Sequence, residues 1–118
     1  MTEDELKQKL EILDIKDEEK IKGVVCALIG HSNIEVVIFG YRYCARCGDQ
    51  VGDNLMGWDG NRNSVVVGHN CDVCRENYKK LSWKDKFMVP DPFEGGTDDA
   101  VFEKNCRKWS RDYRGTEK

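Results

Sequence analysis

The sequence predicts an α+β fold, in which two β-hairpins are knit together at one metal centre and helices lie at both ends. Three observations carry that expectation. The pairs Cys44/Cys47 and Cys71/Cys74 each have the x-x spacing that lets a tight turn aim two sulfurs at one ion. Before and between them run stretches rich in Val, Ile and aromatic residues, punctuated by Gly, Asn and Asp. Both ends of the chain place apolar residues at helical spacing behind capping residues.

In chain order, Thr2 followed by Glu5 forms a capping box, and Leu6, Leu10 and Leu13 give a helix over residues 3–13. Its acidic first turn suits the positive end of the helix dipole. Residues 20–29 and 34–43 are rich in β-branched and aromatic residues, with Gly30-His31-Ser32-Asn33 between them as turn chemistry. They read as a hairpin whose second strand runs into Cys44. A competing helix over residues 17–30 could start at Asp17-Glu18-Glu19, but its β-branched content and Gly23 disfavour it. Gly48 suits the left-handed turn of the first knuckle. Residues 49–58 and 64–67 form a second hairpin with its tip at Asp59-Gly60-Asn61, delivering the chain to Cys71. Beyond it, Ser82 and Asp85 cap a short helix that Pro90 and Pro92 end, and Glu94-Gly95-Gly96 links to a last helix over residues 98–113, capped by Thr97-Asp98-Asp99. The whole of residues 1–118 reads as one domain: an N-terminal helical arm (1–19), hairpins and metal centre (20–74), and a helical C-terminal part (75–118).

A chain of 118 residues is near the size at which a lone apolar core gives modest stability, so a metal would contribute substantially. The net charge of −3 and pI near 5.4 argue against wholesale coating of nucleic acid. The charge is uneven, with eight acids and four bases among residues 1–20. Neither a bilayer-length apolar run nor a signal-peptide pattern is present, which gives the expectation of a soluble cytoplasmic protein. Three disulfides are the alternative use of six cysteines, but they need an oxidising compartment. Cys26 and Cys106 read as small buried hydrophobes.

Residues 34–74 run strand, Cys-Ala-Arg-Cys-Gly, hairpin, strand, Cys-Asp-Val-Cys, and in this order they resemble the zinc ribbon class. The resemblance covers about a third of the chain. It implies Zn2+ held by Cys44, Cys47, Cys71 and Cys74 in a closed structural cage, and says little of activity, since ribbons serve transcription factors, nucleases, ribosomal proteins and interaction modules. The compact, charged chain also looks like small accessory proteins of bacteriophages. Enzymatic readings find no complete residue set. A zinc deaminase needs His-x-Glu and Pro-Cys-x-x-Cys, and neither occurs. An HNH-like nuclease relative would lack the usual catalytic histidines, since the chain has two histidines and no Asp-His pair. His69 reads as a surface residue or a support to the ligands, against the alternative of substitute ligand or base; His31 reads as solvent-facing.

A non-enzymatic binding module follows, a small regulator or inhibitor docking on a larger protein such as a nuclease or polymerase. Its acidic end would suit a basic groove on the partner. The other reading, nucleic-acid binding, rests on Arg42, Arg46, Arg75, Lys79, Lys80, Lys84, Arg107 and Arg111, interleaved with Tyr43, Tyr78 and Trp83. Against it, Glu76, Asp85, Glu103 and Asp112 thread the same segments.

Overall fold

The structure, a computed structural model, describes residues 1–38, 40–52, 64–96 and 98–107. Helix α1 (Glu3–Leu13) forms as its cap dictates: the Thr2 hydroxyl accepts the Glu5 N–H at 3.2 Å, while the Glu5 carboxylate accepts the Thr2 N–H at 3.3 Å. Asp14 ends it in the left-handed conformation, φ 52°. Of its apolar stripe only Leu6 is buried, and Ile12 is 81% exposed. Leu6→Ala is therefore expected to loosen α1 selectively, costing about 2–3 kcal/mol. Hydrogen exchange would read this as lost amide protection confined to residues 3–13.

The first correction concerns residues 18–29, which are not the outer strand of a hairpin but helix α2 (Glu18–Ile29). The rejected alternative won for identifiable reasons. The Asp17 carboxylate accepts the Glu19 N–H at 3.0 Å, Glu18 and Glu19 face the helix dipole, and Lys22 pairs with Glu18 at 3.5 Å. Val25 and Cys26 are buried while Gly23 lies on the exposed side, where its cost is modest. Packing at helical period thus overrides β propensity.

Strands β1 (Ile34–Ile38) and β2 (Tyr41–Cys44) are an antiparallel hairpin turning at Gly40, φ 81°. Strand β3 (Gln50–Gly52) pairs antiparallel with the outer side of β2. The second correction is β4 (Val65–Val67), which does not return along β3. It pairs parallel with β1, Ile34 opposite Val65 and Val36 opposite Val67, so the sheet order is β3-β2-β1-β4. The expected second hairpin is absent among the described residues, and its tip at 59–61 lies outside them.

Helix α3 (Asp72–Lys80) starts inside the second Cys-x-x-Cys pair, with Cys71 as its N-cap. Ser82 precedes the short α4 (Trp83–Lys86), and α5 (Asp99–Arg107) begins where Asp98 accepts the Ala100 N–H at 2.8 Å. The extension of the last helix to 113 lies outside the described residues. The core joins Ile34, Val36, Val65 and Val67 of the sheet to Ala45, Cys74 and Val89. Phe93 clips the C-terminal helices to it, stacking on Phe102 at 5.0 Å and meeting the Tyr78 edge at 5.6 Å. This is an α+β fold with helices before and after a four-stranded mixed sheet. No helix among the described residues is long and apolar enough to cross a membrane.

Candidate metal centres

The sheet order decides where the knuckles go. Cys44, the last residue of antiparallel β2, lies opposite Glu35 near the start of β1. Parallel β4 leaves β1 in the other direction, beyond Val36, before it reaches Cys71. With β1 between them, β2 and β4 are roughly 10 Å apart, and their exits point to opposite ends of the sheet. The four cysteines accordingly fall into two groups rather than one. None of the chain's cysteines is in a disulfide.

The first group is Cys26, His31, Cys44 and Cys47, whose ligand atoms all lie within 4.8 Å of one another. Cys26 comes from the last turn of α2, His31 from the loop after it, Cys44 from the end of β2 and Cys47 from the knuckle turn. The Cys26 and Cys44 sulfurs are 3.7 Å apart. A tetrahedron with zinc–sulfur bonds of about 2.3 Å has sulfur–sulfur edges of about 3.8 Å. The Cys47 sulfur lies 3.2 Å from His31 Nδ1. Exposed His31 thus stands on the solvent side of a group whose Cys26 and Cys44 are buried.

The backbone around this group is arranged for a thiolate. The Arg46 N–H donates to Cys44 Sγ at 3.4 Å, and Gly48, φ 89°, closes the turn with its N–H on the Cys44 carbonyl at 2.9 Å. Cys44 is pushed down to about 4, chiefly by the Cys26 thiol donating to it and further by the N–H groups of Cys47, Arg46 and Ser32, against the effect of burial. Cys26 is pushed up by that same sharing and by burial, and burial raises Cys47.

Arg46 completes the wall of the first group, a role that the sequence reading missed. Its side chain is fully buried. Its Nε donates to the Phe87 carbonyl at 2.7 Å, one terminal nitrogen donates to the Gly30 carbonyl at 3.0 Å and to Cys26 Sγ at 3.4 Å, and the other donates to the Lys84 carbonyl. A guanidinium beside this sulfur cluster favours negative charge on it and ties the end of α2 to α4.

The second group is His69, Cys71 and Cys74, again with ligand atoms within 4.8 Å of one another. Gly68, φ 95°, turns the chain out of β4, and the His69 N–H then bonds the Val66 carbonyl at 3.2 Å. His69 Nδ1 lies 3.3 Å from the Cys71 sulfur and 3.6 Å from that of Cys74. Cys71 Sγ caps α3 by accepting the Cys74 N–H at 3.5 Å, at the helix end that favours negative charge. Burial pushes Cys74 up to about 11. His69 is exposed, as a surface residue would be, and its imidazole also stands within metal-binding distance of both sulfurs.

The cations proposed for nucleic acid are mostly committed elsewhere. Arg46 is removed from solvent altogether and cannot serve. Arg42 pairs with Glu35 at 3.4 Å, and burial outweighs that attraction to raise the Glu35 carboxyl. Arg75 binds Asp72 at 2.9 Å and the Asn70 side chain, and Lys79 pairs with Glu76 at 3.2 Å. Lys80 and Lys84 are exposed. Arg107 ends α5, and Arg111 lies outside the described residues. The aromatic rings are also engaged: Tyr78 meets Phe93 and lies under the Lys86 ammonium at 4.5 Å, and Trp83 meets Phe87 edge-on at 5.9 Å.

Comparison with family models, with curated proteins and with solved structures finds no match to this chain. The case for metal rests on the two Cys/His groups themselves. They sit within metal-binding distance, as a zinc-binding domain requires.

Proposed function

We propose that the protein is a non-enzymatic, zinc-stabilised binding module that docks on a larger protein and regulates it. Thiolate and imidazole donors in sets of this geometry favour zinc. A set of three sulfurs and one nitrogen also fills the ion's four positions, leaving none for substrate at the first centre. The observation that carries the docking reading is the uncovered face of α1, where an acidic first turn leads to Ile12, 81% exposed, and Leu13, 50% exposed. An acidic helix with an apolar end fits a partner groove that is apolar at its floor and basic at its rim. Commitment of Arg42, Arg46, Arg75 and Lys79 within the fold weighs against nucleic acid.

The test pairs zinc analysis of the purified chain with capture from lysate by the wild type and by an Ile12→Asp, Leu13→Asp variant. A protein captured by the wild type and lost from the folded variant supports the docking reading. Tight, salt-sensitive binding of single- or double-stranded oligonucleotides, with no such protein, would overturn it.

A further inference from the structure

The chain contains six cysteines and two histidines. Seven of these eight residues are taken up by the two groups, and the eighth is Cys106. Its position is not neutral. It lies in the last turn of α5, half-buried against the same core that takes in Cys71 and Cys74. The N–H of Gly68, the residue just before His69, donates to its sulfur. Gly68, Asn70, Asp99, Glu103 and Cys106 line one small cavity of about 200 Å3 together with Phe102. The Asn70 amide donates to Asp99 at 2.6 Å, fixing the first turn of α5 to the loop that carries His69 and Cys71.

We infer that Cys106 is the fourth ligand of the second centre, so that the chain holds two zinc ions, each in a set of three cysteines and one histidine. The inference rests on reading both groups as zinc sites. Structural zinc is almost always four-coordinate, and the second group presents three donors. Asp99, Glu103 and Cys106 follow at i, i+4 and i+7, so one face of α5 offers the candidates for the last position. Thiolate wins among them: Asp99 is engaged with Asn70, Asp99 and Glu103 are both exposed, and sulfur is the donor that a half-buried site beside Cys71 and Cys74 favours. Cys106 lies outside the 4.8 Å set as the side chains stand. Rotation about χ1 between staggered wells moves a cysteine sulfur by about 3 Å without moving the helix. Closure would make the metal the clasp between the N-terminus of α3 and the C-terminus of α5.

The full chain, purified with zinc, gives the test by elemental analysis and X-ray absorption at the zinc edge. Two metals averaging three sulfurs each are expected, whereas five sulfurs shared between two metals would overturn the inference. With cobalt in place of zinc, Cys106→Ala should reduce sulfur-to-metal charge-transfer absorption from six thiolates to five. The same change should weaken one of the two sites by roughly a hundredfold or more while sparing the other. An unchanged cobalt spectrum in the folded variant would also overturn the inference, and should the variant fail to fold, the wild-type sulfur count decides. One metal per chain, still bound in Cys106→Ala, removes this inference and leaves the first centre standing; no metal at all removes both.

Discussion

Complete removal of metal by a chelator at neutral pH is expected to abolish the cooperative thermal transition and most of the far-ultraviolet circular dichroism, and added zinc should restore both. The first group draws one candidate ligand from α2, one from the loop after it, one from the end of β2 and one from the knuckle turn that follows; the second joins the exit of β4 to the first turn of α3. These junctions hold the helices to a small, valine-rich core. Apparent binding free energies of structural zinc are about 10–16 kcal/mol, while a domain's whole stability is about 5–15 kcal/mol. A zinc term of that size at either group would decide whether the chain folds. Because thiolates and neutral imidazoles bind the ion, protons compete for every ligand, and stability must fall as pH falls. At limiting zinc the denaturation midpoint should shift to higher pH; with excess zinc it should move back. A melting curve unchanged after every trace of metal has gone would refute the account.

The same two junctions show what the letters could and could not convey. The Cys-x-x-Cys spacing marked Cys44, Cys47, Cys71 and Cys74 as metal-site cysteines because a knuckle is local, and the structure places all four in such groups. Which knuckle faces which is not local. It depends on β4 running parallel to β1 rather than back along β3, and residues 49–67 contain nothing that distinguishes the two. Cys26 was masked by a related difficulty. In a strand it would be one more small apolar residue; in a helix whose last turn ends beside the knuckle it becomes a candidate ligand. The signal was present in Asp17-Glu18-Glu19 and in the spacing of Ile21, Val25 and Ile29, which the β-branched composition outweighed. His69, just before the second knuckle, is legible as an alternative ligand there, whereas His31 is legible only in a count, two histidines alongside two surplus cysteines.

Arg46→Ala should be the most damaging single change outside the ligands, lowering stability by about 3–5 kcal/mol in the presence of excess zinc. The argument follows from where each hydrogen bond ends. Truncation strands the carbonyls of Phe87, Gly30 and Lys84, and each buried acceptor left without a donor costs about 1 kcal/mol or more. A cavity in a fully buried site adds to that, as does loss of the cation beside Cys26 Sγ. Arg46→Lys should recover only part, because a single ammonium on a shorter reach cannot span three carbonyls that a planar fork bonds together. Exposed Lys84 is the control. Its backbone carbonyl is what Arg46 uses, so Lys84→Ala should stay within about 0.5 kcal/mol of the wild type. Denaturant titration separates the cases directly. If Arg46 instead acted on nucleic acid, its removal would leave the unfolding midpoint in place and weaken oligonucleotide binding; the buried fork predicts a lower midpoint and no such binding to lose.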